Sequence, residues 1–112
     1  MGINRDALYS IGKGFYREPE ESPSFSKVKI RFRTLKEDVD CVTLIFQEEN
    51  SHLFMTLSSC DHYFDYYEAE IEIKDHPLYY YFQIQKGEEK LFYNRLGVSG
   101  DLERQYAFSI FP

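Results

Sequence analysis

Apolar and charged residues alternate along several short stretches of this chain, and this alternation restricts the possible folds more than any other feature. In residues 26–34 the apolar residues Val28, Ile30 and Phe32 alternate with four basic residues, at positions 27, 29, 31 and 33. Residues 63–73 repeat the alternation with glutamates on the polar side. A period of two places successive side chains on opposite faces of an extended strand. The pattern therefore predicts antiparallel strands with one buried face and one solvated face.

The remaining chain divides into further short stretches that end at turn residues. Strand signals occur in residues 7–11, 41–47, 53–57, 78–85, 90–94 and 106–111. Gly87 lies between two of them at a natural hairpin position, and residues 58–61 and 97–101 have turn or loop composition. No stretch of useful length has a helical period. We therefore predict an all-β fold, an immunoglobulin-like antiparallel β-sandwich of seven or eight strands.

Length and charge exclude several classes of protein. A chain of 112 residues suits one compact domain and is too short for a (β/α)₈ barrel. Its formal net charge is −6, which repels a phosphate backbone. The densest basic stretch, in residues 26–34, forms one face of a predicted strand rather than a basic patch. We therefore expect no nucleic-acid partner.

The N-terminal residues and the cysteines indicate a reducing compartment. The start MGINRDAL lacks a basic region followed by an apolar run, so no signal peptide is evident. The longest apolar runs are too short to span a bilayer. Cys41 and Cys60 have no cysteine or histidine neighbours at zinc spacing, so we expect two reduced thiols. These features predict a soluble, cytoplasmic protein without a membrane partner.

No motif of a known catalytic class occurs in the chain, and neither a nucleophile elbow nor a zinc-protease or phosphate-loop motif is present. Glycoside hydrolysis needs two carboxyl groups across a substrate cleft, one of them with a raised pKa. The glutamates that could form such a pair are predicted to lie in loops or on solvated strand faces: Glu48, Glu49, Glu68, Glu70 and Glu72. We therefore predict no catalytic residue, no metal ligand and no cofactor.

Outward-facing aromatic side chains are the best candidates for a binding surface. Alternation directs Tyr67 and Tyr80 into the predicted core. The candidates on the opposite faces or on short strands are Tyr66, Tyr79, Tyr81 and Phe54. Aromatic faces pack against sugar rings, and a phenol also forms hydrogen bonds. The same residues equally suit a protein interface, or a half-buried strand surface without a ligand.

Several segments, taken in order, resemble the N-terminal region of neopullulanases, cyclomaltodextrinases and maltogenic amylases. The first is RDALYSIGKGFYREPEESPSFSKVKIRFRTLKEDVDCVTLIF, and the second is MTLSSCDHYFDYYEAEIEI. LYYYFQIQKGEEKLFYNRLGVS follows, and FSIFP resembles the exit from that module into a catalytic barrel. The resemblance extends over residues 6–112.

The resemblance implies a carbohydrate-binding module of family 34, placed before a glycoside hydrolase barrel of family 13. Residues 1–112 would then be a single N-terminal module, and the catalytic barrel of the parent enzyme would be absent from this chain. The implied partners are an α-glucan oligosaccharide or cyclodextrin, the module's own barrel and the partner subunit. One hypothesis is sugar binding, with hydroxyls bonded by Gln83, Gln85 or Asp65. The alternative is a structural dimerisation domain without sugar affinity.

Two positions depart from the family pattern. Tyr67 stands where relatives commonly have tryptophan, which keeps the aromatic bulk and loses the indole donor. Residues 47–51 replace a Gly-Asp-Pro-Tyr loop. Some relatives bind calcium near the start of the module, and the oxygen donors in matching places are Asn4, Asp6 and Asp40.

Overall fold

Ten strands form two antiparallel sheets in a computed structural model that describes residues 2–19, 23–47 and 51–112. The strands are β1 (Arg17–Glu18), β2 (Lys27–Leu35), β3 (Cys41–Phe46), β4 (Ser51–Phe54), β5 (Thr56–Cys60), β6 (Phe64–Glu72), β7 (Leu78–Lys86), β8 (Glu89–Asn94), β9 (Gly97–Ser99) and β10 (Phe108–Ile110). Short 3₁₀ turns occupy Arg5–Ala7, Gly14–Tyr16 and Arg104–Tyr106. Within the described residues, the structure contains no helix that could span a bilayer.

The four-stranded sheet, sheet A, has the strand order β1-β2-β6-β5. β2 and β6 pair over their full length, so each basic residue of β2 lies opposite a polar residue of β6. Arg31 Nε, for example, donates to Glu68 Oε1 at 3.0 Å, and Lys27 Nζ is 3.7 Å from Oε1 of its diagonal neighbour Glu70. Cross-strand charge pairs of this kind stabilise the solvated face of a sheet. The predicted alternation of both strands is confirmed.

The second sheet, sheet B, has the order β4-β3-β7-β8-β9, and β10 pairs with the first residues of β7. The hairpin between β7 and β8 is confirmed, with Lys86 opposite Glu89. Gly87 has a φ of +58° in its turn, a conformation that glycine adopts without a steric penalty. The hairpin therefore fixes which residues of β7 and β8 lie opposite each other.

The core lies between the two sheets and draws on the apolar face of each long strand. Phe32 of β2 and Phe82 of β7 are 0 % exposed, and their ring centroids are 4.7 Å apart. The predicted core residues Tyr67 and Tyr80 are also buried. Cys41 and Cys60 are free thiols. The chain is thus an all-β, immunoglobulin-like sandwich, as the alternation predicted.

Several local predictions were wrong. The single strand predicted at 53–57 is two strands in different sheets, because Met55 is buried at the crossing from β4 to β5. Residues 58–60 continue β5 instead of forming a turn. β5 is exposed along its whole length, so its side chains carry no alternating signal. Residues 97–99 are strand β9 rather than loop.

The strand count also differs from the predicted seven or eight, since the described residues contain ten. The additional strands are short edge pieces such as β1, which has two residues. A strand of that length is too short to show a period. In the predicted strand 7–11, only an isolated bridge forms, between Tyr9 and Arg33.

Candidate functional site

The outer face of sheet B collects three of the four aromatic residues that the sequence selected. Phe54 of β4 lies opposite Thr43 of β3, and Tyr81 of β7 lies opposite Ile45. Opposite residues in an antiparallel pair share a face, and the residues on either side of them in β3 and β7 point into the core. Tyr79 is two residues from Tyr81 in β7, so it lies on the same face. The fourth residue, Tyr66, belongs to sheet A.

A continuous row of aromatic and uncharged polar side chains crosses this outer face from edge to edge. This sheet B row consists of Phe54, Thr43, Gln83, Phe92 and Ser99, one residue each from β4, β3, β7, β8 and β9. Phe54 is 73 % exposed at one end, whereas Thr43 is 3 % exposed and lies below the surface. Gln83 and Phe92 are partly exposed. The row therefore offers ring faces and an amide to a ligand on the surface.

Tyr81 is a correction to the expected binding surface. Its side chain does point away from the main core, but it is 5 % exposed because it packs in a second small cluster with Ile45 and Ala107. Phe92 and Tyr79 pack against the same cluster. Tyr81 therefore supports the neighbouring ring of Phe92, 6.4 Å away between centroids, rather than contacting a ligand itself.

Tyr79 is partly buried at the other end of β7. Its ring centroid lies 6.4 Å from that of Phe111 in an edge-to-face arrangement, and Phe111 is 65 % exposed. Aromatic residues are enriched at protein–protein interfaces, so this pair next to a buried apolar cluster suits a surface that packs against protein.

Tyr66 lies on a different surface, the outer face of sheet A. Its hydroxyl donates to Asp61 Oδ2 at 2.8 Å, and its ring meets Phe15 edge-to-face at 5.3 Å. The guanidinium of Arg31 lies 4.4 Å over the ring of Phe15, and its Nη1 donates to the Phe15 carbonyl at 2.7 Å. These contacts fasten the N-terminal segment to the sheet. Tyr66 is thus largely engaged in internal packing.

Burial and the neighbouring Asp61 carboxylate raise the pKa of Tyr66 to about 12. The folded state therefore favours the neutral phenol, whose ordinary pKa is about 10. This stabilisation is complete below pH 10 and is lost as pH rises through about 12. We expect Tyr66→Phe to be less stable than wild type at pH 8, and the difference in melting temperature to shrink by pH 11.5. A difference that stays constant with pH would contradict the assignment.

The other polar candidates have partners within the fold. The Asp65 carboxylate is buried and accepts the Glu37 backbone N–H at 2.8 Å. It is therefore not available to bond a sugar hydroxyl, contrary to the expectation from the sequence. Gln85 Nε2 donates to the Gly87 carbonyl at 3.1 Å. No hydrogen bond within the described ranges involves the amide of Gln83. Of the three residues predicted to bond sugar hydroxyls, Gln83 is the one that lies in the sheet B row.

The residues considered for a calcium site can be compared with the contacts that they make. Asp40 Oδ2 accepts the Gly87 backbone N–H, and the Asn4 backbone N–H donates to Asp38 Oδ2 at 2.8 Å. No cluster of three or more potential metal-binding side chains occurs among the residues that the structure describes. Glu48 and Glu49 lie outside the described residues.

A cavity of about 310 Å³ opens between β4 of sheet B and β6 of sheet A. Ile71 and Leu78 contribute apolar atoms to its lining, and Glu70, Glu72 and Lys74 contribute charged side chains. This charged lining distinguishes the cavity from the sheet B row, in which every side chain is uncharged.

Comparison with known protein families shows which family the chain belongs to. The model of the family described as "Alpha amylase, N-terminal ig-like domain" matches residues 12–112. The chain belongs to this family. A cyclomaltodextrinase from Thermoanaerobacter pseudethanolicus is 31 % identical over 78 residues, which cover 64 % of this chain and 14 % of that enzyme. The resemblance noted in the sequence is therefore confirmed for the alpha-amylase N-terminal Ig-like domain.

Solved structures share the fold of this domain. A cyclomaltodextrinase has a TM-score of 0.79 at 21 % identity, covering 95 % of this chain and 19 % of that one. A maltogenic amylase from S. marinus has a TM-score of 0.74 at 17 % identity, covering 99 % and 15 %. The type III pullulan hydrolase from Thermococcus kodakarensis has a TM-score of 0.52 at 15 % identity, covering 78 % and 14 %. The chain thus spans less than a fifth of the length of these relatives.

Proposed function

We propose that this chain is a noncatalytic accessory domain of an α-glucan-hydrolysing enzyme and that it binds α-glucan by noncovalent contact. Relatives of this domain family bear the names cyclomaltodextrinase, maltogenic amylase and pullulan hydrolase. The observation that carries the proposal is the side chain of Phe54, which is 73 % exposed in a row that also contains the partly exposed amide of Gln83. An exposed aromatic face with neighbouring hydroxyl and amide groups suits the mixed apolar and polar surface of a sugar.

The expected affinity is modest. A few rings bury little area, and the ligand loses translational and rotational freedom on binding. We therefore expect dissociation constants in the micromolar to millimolar range. Binding of this strength would keep substrate near a catalytic domain in the parent enzyme without trapping it.

Titration of the chain with maltotetraose and β-cyclodextrin tests the proposal. We expect saturable NMR shifts of a small set of residues with both ligands, because both carry α-1,4 linkages. Cellotetraose, which has the same units in β-1,4 linkage, is the matched control and should shift the same residues less. The absence of any response at millimolar maltotetraose would refute sugar binding by this chain.

A second candidate function is contact with a catalytic domain or a partner subunit. Its supporting observation is the pair Tyr79 and Phe111 beside the small apolar cluster. The two functions differ in the titration experiment. A domain that acts only by packing against protein should give no shifts with either sugar.

A further inference from the structure

We propose that a linear α-1,4-glucan lies across the strands of sheet B along the sheet B row. Sugar rings would pack on Phe54 and on Phe92, and Gln83 would bond hydroxyls between them. This inference rests on the proposed function and assigns it a site, an orientation across the strands and an approximate span.

The register of sheet B sets the length of the site. Phe54 and Phe92 lie on β4 and β8, which are separated by β3 and β7. Neighbouring strands are about 4.8 Å apart, so three intervals place the two aromatic residues about 14 Å apart. This span corresponds to a few linked sugar units and exceeds that of one ring. A short oligosaccharide can therefore contact both ends at once.

The chemistry of the row fits an uncharged ligand. The chain has a net charge of −6, and the outer face of sheet A carries ion pairs such as Arg31 with Glu68. In contrast, the row contains only aromatic, hydroxyl and amide side chains. The Gln83 amide offers two N–H donors and a carbonyl acceptor, which match sugar hydroxyls in both roles. A neutral, polar oligosaccharide loses less hydration energy here than a charged ligand would.

The backbone next to Phe54 and the ring of Phe92 are held in place before a ligand arrives. Phe54 is followed by Met55, whose side chain is buried and whose backbone N–H donates to the Val42 carbonyl at 2.9 Å. Phe92 packs against the small cluster that contains Tyr81. A fixed surface reduces the entropy that binding must cost. By comparison, the Phe15 ring on sheet A already has the Arg31 guanidinium over one face.

Binding of maltose and maltotetraose to wild type, Phe54→Ala and Gln83→Ala tests the site. We expect wild type to bind maltotetraose several-fold more tightly than maltose, because only the longer ligand reaches both ends. Each substitution should weaken maltotetraose binding about fivefold. Tyr63→Ala is the matched control, since Tyr63 is 65 % exposed and lies outside the row. It should bind like wild type, and urea midpoints should verify that all variants are folded.

The NMR shifts identify the site independently of the variants. In wild type, the Gln83 side-chain amide and the rings of Phe54 and Phe92 should shift with maltotetraose. Binding that shifts Tyr66 or the lining of the cavity instead, with unchanged affinity of both variants, would overturn this site and leave the proposed function intact. If wild type fails to bind maltotetraose, the proposed function fails as well.

Discussion

Phe32→Ala is expected to lower the free energy of unfolding by about 3–5 kcal/mol, which is typical for removing a buried phenylalanine ring. Phe32 is 0 % exposed at the centre of β2, and its ring lies 4.7 Å from Phe82 and 5.2 Å from Tyr93 between centroids. Its loss leaves a cavity between the sheets that well-packed neighbours fill only partly. A domain of this size has about 5–15 kcal/mol of stability, so much of it would be lost.

Urea denaturation followed by far-UV circular dichroism measures this effect without relying on tryptophan, which the chain lacks. Phe54→Ala is the matched control, because it removes the same ring from a position that is 73 % exposed. We expect it to change the unfolding free energy by less than about 0.5 kcal/mol. Similar midpoints for the two variants would mean that the β2 ring does not form part of the core.

The long strands β2 and β6 could be predicted because each buries all the side chains on one of its two faces. In β2 and β6 the buried residues recur at every second position over nine residues, which leaves one possible assignment of faces. The edge strands gave no such signal. β5 is exposed throughout, and it is a strand because its backbone pairs with β6 from Thr56 to Cys60.

The candidate site could be predicted only in part for a related reason. Alternation correctly directed Tyr81 away from the main core, but its cover comes from Ala107, which is distant in the sequence. Phe92 could have been found by counting outward from the Gly87 turn, which places it opposite Gln83. The position of Thr43 in this row, opposite Gln83, depends on the pairing between β3 and β7, which local sequence patterns do not specify.

Tyr80→Phe is expected to lower the free energy of unfolding by about 2–3 kcal/mol, although it removes one oxygen atom. The Tyr80 hydroxyl, in a side chain that is 0 % exposed, accepts hydrogen bonds from Arg17 Nη2 at 3.1 Å and Nε at 3.3 Å. Burial raises the pKa of Tyr80, and the guanidinium opposes that shift. Arg17 is itself 8 % exposed, so the phenylalanine variant would leave a buried cation without this acceptor. Thermal and urea unfolding at pH 7 measure the loss.

A double-mutant cycle separates the hydrogen bond from packing. Arg17→Met removes the charge and keeps an unbranched apolar side chain, so the later loss of the Tyr80 oxygen should matter little. We therefore expect Arg17→Met/Tyr80→Phe to be more stable than the sum of the single losses predicts, by at least about 1 kcal/mol. Additive losses would show that the two side chains are not coupled. The coupling would show that β1, only two residues long, is joined to the core through a polar contact that strand periodicity cannot reveal.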